Sequence, residues 1–374
     1  MQDESLIRPH WWDAAEPPAI SHHEVASECD VVVIGAGYTG LAAALVLARA
    51  GRSVQVFDRQ RPGEGASTRN GGIFSASIRT SLADAIKLWG EERAVAMYRE
   101  AQEARADLAR FVEEEAIECD FNVSGRFTGA ITTRDYEDQA READLLNRHF
   151  DVGAVAVPKS QQHEEIGSDF YNGGVMRPDI GHLHPAKLHA GMLARAIEAG
   201  AVVHGETPVQ SYAREGTSFS VTTSRGAVHA RDLIVATNGY ADGAMPWLRR
   251  RLVPITSRII ATEQLSPNLM RHLIPKGRAV GDTRKLYRYY RPSPDGTRII
   301  IGGRERMFNK GLETNAEHIR RGLVQIFPEL KDVAVEHSWK GFVAFSRDEL
   351  PRLFEHDGAL HACGYCGSGT VWAR

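Results

Sequence analysis

The sequence predicts an α/β fold, in which a Rossmann-type dinucleotide-binding domain is joined to a second, mainly antiparallel β domain. Three observations predict it. Residues 30–58 read as a strand, a Gly-x-Gly-x-x-Gly turn, a helix and a second strand ending in an acid. Pieces of the same kind recur in the centre of the chain and at its C-terminal end. Between them, from Trp247 to Gly303, the pattern is mainly β.

The elements follow in order. Asp30-Val31-Val32-Val33-Ile34 is the first strand, apolar and β-branched. Gly35 permits a tight turn, Gly37 lets backbone approach a pyrophosphate, and Gly40 lets the helix pack closely on the strand. The helix N-terminus then offers free N–H groups and a positive dipole end to phosphates. Val54-Gln55-Val56-Phe57 is the second strand, and Asp58 can accept both hydroxyls of a ribose. A glycine-rich loop fills residues 63–72. Leu88, Ala94, Met97, Ala101, Leu108 and Phe111 recur at helical spacing and predict a helix from Leu82 to Ala116. A charged helix is expected from Asp135 to Phe150, and another over 186–199, closed by Gly200. Strands are expected at 201–204, 218–223, 227–235, Leu252 to Ala261 and Thr297 to Gly302, with a helix at 315–326. Trp11, Trp12, Pro17 and Pro18 mark residues 1–27 as an extended arm. The expected division gives 28–85, 151–240 and 340–374 to the dinucleotide domain. It gives 86–150 and 241–339 to the substrate domain.

Composition excludes several function classes. At 374 residues the chain can bury two domain cores. A net charge of −3 offers no polyanion-binding surface, so no nucleic-acid partner is expected. The uncharged run Val31–Ala48 imitates a membrane span, but glycines, Thr39 and Tyr38 interrupt it and its first half is β-branched. It starts too late for a signal peptide and follows acids rather than a basic stretch. Fifteen histidines show no metal-ligand spacing, and no metal is expected. Four cysteines suggest a reducing, cytoplasmic compartment. Cys363-Gly364-Tyr365-Cys366 has the spacing of a redox dithiol, but its glycines suit a strand-to-helix turn beside a cofactor better.

The loop Gly63-Glu64-Gly65-Ala66-Ser67-Thr68-Arg69-Asn70-Gly71-Gly72 combines small residues, which admit a flat ligand, with donors at Ser67, Arg69 and Asn70. Standing shortly after the Rossmann acid, this loop resembles that of the D-amino-acid-oxidase superfamily of FAD-dependent oxidoreductases. Gly181-His182-Leu183-His184-Pro185, the strand Leu233 to Tyr240, the segment Asp282 to Arg291 with Ile300 to Gly303, and Gly364-Tyr365-Cys366-Gly367-Ser368-Gly369 resemble that superfamily too. The nearest flavour is that of gamma-glutamylputrescine oxidase and related amine oxidases.

The resemblance implies a glutathione-reductase-like FAD domain and noncovalent FAD, since Gly341 stands where covalent members carry cysteine. It implies Gly35, Gly37, Thr39 and Gly40 at the pyrophosphate, and Asp58 with Arg59 at the adenosine. Ala66, Ser67, Arg69, Asn70, Gly71 and Gly72 would run along the pyrophosphate and isoalloxazine. Val209 would touch the adenine. Thr237, Gly364, Gly367, Ser368 and Gly369 would approach the flavin, the last three aiming a helix N-terminus at its pyrimidine. On the substrate side Tyr289, Arg291, His184 and Arg79 are the candidates, with Arg291 as a bidentate carboxylate anchor. Strand alternation puts Tyr289 and Arg291 on one face and Tyr290 on the other. The implied reaction passes a hydride from an amine carbon to flavin N5, leaves an imine for hydrolysis, and returns electrons to dioxygen as hydrogen peroxide. A dehydrogenase using another acceptor is the alternative. Relatives continue beyond the equivalent of Arg374 through a full helix, so a fragment, a natively short chain or an inactive flavoprotein are further readings.

Overall fold

The computed structural model describes residues 8–20, 23–76, 78–305 and 312–374, with backbone only at 312–315. Residues 1–7 and 21–22 of the expected arm lie outside the described residues. Strand β1 (Glu28–Ile34), helix α1 (Tyr38–Arg49) and β2 (Val54–Phe57) form the first βαβ unit. The last four residues of β1 and all of β2 are buried, as parallel strands covered on both faces require. Leu41, Ala44, Leu45 and Ala48 put one apolar stripe of α1 into the core. Gly51, at φ +76°, ends the helix; its N–H bonds the Ala48 carbonyl and the Arg52 N–H bonds that of Leu47.

After the glycine loop come β3 (Ile73–Phe74), α2 (Leu82–Trp89) and α3 (Glu91–Glu114). The single helix expected over 82–116 is thus two. Gly90 adopts φ 83° and ψ 157°, a conformation that only glycine takes readily, and breaks it. Next are β4 (Arg126–Gly129), α4 (Thr133–His149), β5 (Val155–Val157), β6 (Gly174–Arg177) and β7 (Gly181–His182). A reciprocal capping box between Thr132 and Asp135 starts α4. Helix α5 (Pro185–Glu198) has proline at its first position. It leads to β8 (Val202–His204) and the meander β9 (Val209–Glu215), β10 (Ser218–Thr223) and β11 (Gly226–Val235). The remaining elements are α6 (Pro246–Arg249), β12 (Val253–Thr262), α7 (Pro267–Leu273), β13 (Ala279–Asp282), β14 (Arg288–Pro292), β15 (Ile299–Arg304) and α8 (Leu312–Ile326). The chain closes with β16 (Val335–Phe345), β17 (Arg352–His356), β18 (Ala359–Cys363) and the short α9 (Gly369–Trp372).

Two sheets take up these strands apart from β3 and β7, which pair with each other. The first runs β17-β18-β11-β1-β2-β8, parallel from β18 to β8, with β9 and β10 attached to β11. The second runs β16-β12-β15-β14-β13-β4-β6-β5 and is antiparallel except between β13 and β4. This architecture is the one expected, but its seams differ. Residues 155–157 and 174–177, assigned to the first domain, pair in the second sheet. The expected boundary at 340 cuts through β16, which pairs with β12 along its length. Leu108, Phe111 and Val112 of α3, assigned to the substrate domain, pack in the core of α1 and α5. Short strands paired across long sequence separations leave no local sign of which sheet they join.

Candidate cofactor and active site

The turn after β1 does what its glycines require. Gly35 has φ +104°, and its N–H bonds the Phe57 carbonyl at 2.8 Å. A Cβ on Gly40 would lie 1.8 Å from the Gly35 carbonyl oxygen, so only glycine lets α1 come this close. The N-cap residue of α1, Gly37, has no side chain to cap it. Its first turn opens instead into a long pocket lined by Gly35, Gly37 and Thr39. Ser67 Oγ takes the Tyr38 N–H, and the N–H groups that follow it at the positive end of the helix suit a pyrophosphate.

Asp58 also lines the pocket. Its carboxylate accepts the N–H groups of Ala36 at 2.9 Å and Gln60 at 3.0 Å. Burial raises its pKa above the ordinary carboxylate value, against these hydrogen bonds and nearby Arg59. Such a carboxylate has spare lone pairs and gains from further donors, as two ribose hydroxyls would supply. Arg59 reaches Asp242 at 3.3 Å and stands over the Tyr240 ring. Ala66, Ser67, Asn70, Val209, Thr237, Gly367 and Gly369 also line the pocket. The Ser67 hydroxyl accepts the Tyr38 N–H at 3.0 Å, and Asn70 ties back the carbonyls of Ala66 and Ser67. The donor set, the carboxylate and the room beside the glycines fit FAD.

Other expected residues stand behind the pocket wall. Arg69 donates to the Glu64 carbonyl at 2.7 Å and lies over Trp12, bracing the loop. Gly71 backs onto Tyr289, where a Cβ would meet the ring at 2.6 Å. Gly72, at φ +67°, abuts the Leu183 carbonyl and Arg291. The Gly364 N–H bonds Asn238 Oδ1 at 2.9 Å, and Ser368 stands between the lining glycines at the start of α9.

The substrate-side candidates separate. Tyr289 faces the glycine loop, its hydroxyl 3.4 Å from Ser257 Oγ and its ring stacked near Tyr287. Burial pushes its pKa up to about 12, so it stays protonated. Tyr290 points the other way, into the second core, as alternation requires. Arg291 shares the Tyr289 face but is fully buried, and it departs from the expected carboxylate anchor. It donates to the carbonyls of Leu183 at 2.7 Å, Gly72 at 3.3 Å and Pro292 at 2.9 Å, with Trp11 against its guanidinium. Burial lowers its pKa to about 9. His184 caps α5, its Nδ1 accepting the Lys187 N–H, and burial holds its pKa near 4. Arg79 pairs with Glu349 at 3.0 Å and stands over Phe345, which also carries Arg304. Cys363 and Cys366 are both free and buried. Burial raises both thiols, Cys363 to about 11, the opposite of a reactive dithiol.

Sequence reading missed several groups at this site. Phe342, Val343 and Ala344 of β16 enter the pocket, as do Tyr240 and Tyr365. The Tyr365 hydroxyl meets Thr39 Oγ1 at 2.7 Å. His189 Nε2 donates to the Ala36 carbonyl at 2.7 Å, supporting the phosphate turn from below; its pKa is lowered to about 4 by burial. Tyr240 and Tyr365 lay within quoted motifs; in β16 only Gly341 carried a signal, and Phe342, Val343 and Ala344 did not, because their place depends on the second sheet. Asn238 and Cys366 adopt φ of 45° and 51° beside the pocket, backbone conformations uncommon outside glycine.

Comparison with known proteins agrees with this geometry. The model of the FAD dependent oxidoreductase family matches residues 30–374. A probable oxidoreductase, OrdL, of Rhizobium meliloti is 32% identical over 97% of this chain and 85% of its own length. Gamma-glutamylputrescine oxidoreductase of Escherichia coli is 31% identical over 92% of this chain and 80% of its own length. The crystal structure of glycine oxidase from Geobacillus kaustophilus superposes with a TM-score of 0.76 at 20% identity, covering 93% of this chain and 92% of that one.

Proposed function

The chain belongs to the FAD dependent oxidoreductase family of the D-amino-acid-oxidase type, and from that premise we propose that it oxidises a carbon–nitrogen single bond in a small amine. The substrate class proposed is that of gamma-glutamylputrescine and related amines, a reading supported by the 31% identity to the Escherichia coli enzyme of that name. The observation that carries the proposal is the pocket itself. It is lined by Asp58, by Gly37 and Thr39 at the start of α1, and by Ala344 and Cys366, beside a loop whose Gly71 is backed by Tyr289.

FAD, held noncovalently, supplies the hydride acceptor. The chain supplies position and exclusion of water. Asp58 and α1 fix the adenosine and pyrophosphate end. Tyr289, backed by Gly71 and Gly302, walls the amine side and presents a protonated hydroxyl for hydrogen bonding. Arg291 holds the glycine loop against the link between β7 and α5 through the carbonyls of Gly72 and Leu183, a positioning role. Arg304, over the Phe345 ring beside Arg79, would attract an anionic tail of the substrate, and Arg79 would join it by exchanging its Glu349 contact. The proposal includes dioxygen as acceptor and a cytoplasmic setting, the latter supported by four free cysteines. No helix among the described residues is long and apolar enough to cross a membrane.

The test is aerobic turnover with gamma-glutamylputrescine, putrescine, N-methylated amino acids and glycine, reading peroxide and aldehyde or keto product. Peroxide equal to product with the first substrate is expected. Product formed only with an artificial dye, without peroxide, replaces oxygen by another acceptor. No product from any amine refutes the amine reading.

A further inference from the structure

The N-terminal arm brings together three groups that the flavin reading does not use. His10 and Asp13 stand on one 3-10 turn, where residues three apart lie above one another. From the far end of the sequence, β16 presents His337 to the same face. Nε2 of His337 lies 2.8 Å from an Asp13 carboxylate oxygen, and Nδ1 of His10 lies 3.6 Å from that oxygen. The imidazole centroids are 5.0 Å apart and nearly edge to face. Two imidazole nitrogens and one carboxylate oxygen therefore lie within 4.8 Å of one another.

Hydrogen bonding accounts for only part of this arrangement. The Asp13–His337 contact, at 2.8 Å, is an ion-pair contact. The buried Nδ1 of His10 has no hydrogen-bond partner among the described residues. Asp295 adds negative charge nearby, while Arg298, the neighbouring cation, is engaged by Glu336 and the Thr262 carbonyl.

We propose that His10, Asp13 and His337 form a binding site for a divalent cation of the zinc class. Tetrahedral zinc with donors at about 2.0–2.2 Å sets those donors about 3.3 Å apart, and the contacts of 2.8 and 3.6 Å bracket that spacing. Two imidazoles with one carboxylate favour zinc over magnesium or calcium, which prefer oxygen alone. Asp13 is half-exposed, which leaves a fourth position to water. The ion clamps the arm onto the second sheet. The same arm reaches the glycine loop, since Trp11 Nε1 donates to the Asn70 carbonyl and Trp12 Nε1 to Thr68 Oγ1, each at 2.9 Å. Metal occupancy thereby steadies the loop that lines the cofactor pocket.

The experiment uses the full chain as purified, loaded with FAD, stripped of metal by a chelator and then dialysed against zinc or cobalt(II). Elemental analysis is expected to find about one ion per chain, and cobalt to show the visible bands of tetrahedral nitrogen and oxygen ligation. His337→Gln and Asp13→Asn should each weaken zinc binding at least about tenfold. His163→Gln, which disturbs a separate exposed His163–Asp169 pair, should leave it unchanged. Flavin absorbance and circular dichroism establish that each variant is folded. A wild-type chain that keeps no zinc, or zinc retained equally by both ligand variants, overturns the site.

Discussion

A single methyl group decides the phosphate turn. Added to Gly40 it would lie 1.8 Å from the Gly35 oxygen, and neither backbone can yield without moving β1 or α1. Gly40→Ala is expected to cost about 1–3 kcal/mol and to strip flavin from the purified protein, read by thermal unfolding and visible absorbance. Asp58 sets a second residue-scale expectation. Asp58→Asn keeps an acceptor for one of the two N–H groups but loses the charge, and FAD affinity should fall about 10–100-fold, read by titrating the apoprotein. The same carboxylate gives a pH dependence. Its pKa in the free pocket is raised by burial. Ribose hydroxyls bind the ionised form, so affinity should hold at neutral pH and weaken as pH falls through that raised range. Affinity unchanged on acidification would remove Asp58 from the adenosine site. Gly35, Gly37, Gly40 and Asp58 were legible because each meets a local backbone requirement. Arg291 was not, because its partners are carbonyls contributed by Gly72 and Leu183 far along the chain.

Elements hold the loop from outside. Trp11 is fully buried, and Trp339 Nε1 donates to the Arg69 carbonyl at 3.0 Å, so the arm and β16 grip the loop from one side. Trp11→Ala should cost about 3–5 kcal/mol and loosen flavin binding, measured by denaturant unfolding with and without FAD. The joint between α2 and α3 carries its own expectation: Gly90→Ala should cost about 1–3 kcal/mol through backbone strain alone, since open space surrounds the added methyl. Helix α4 was legible from its charged run, α5 from its apolar face and the glycine that closes it, and the first βαβ unit from its strands and glycines. The assignment of β5 and β6 to a sheet was not, because Val155–Val157 and Gly174–Arg177 are too short to declare a partner. The arm's place against β16 was equally hidden, since nothing near Trp11 in sequence points to residue 339.

At the scale of the molecule, burial controls the response to acid. His182, His184, His189, His204 and His361 are buried, with pKa values lowered from 6.5 to about 3 or 4. The unfolded chain therefore takes up protons first as pH falls below about 6.5, and the folded chain follows only near pH 3–4. Stability should be fully present above about pH 6.5 and fall steadily below it, each histidine contributing up to about 1.4 kcal/mol per pH unit. Urea midpoints at pH 7 and pH 5 measure this, and equal midpoints would contradict it. The central claim concerns the pocket between the two sheets. Its most direct test is the visible spectrum of the purified chain, taken before and after anaerobic addition of gamma-glutamylputrescine. The account predicts flavin bands that bleach with the amine. A chain that carries no flavin and cannot be reconstituted with FAD would contradict it.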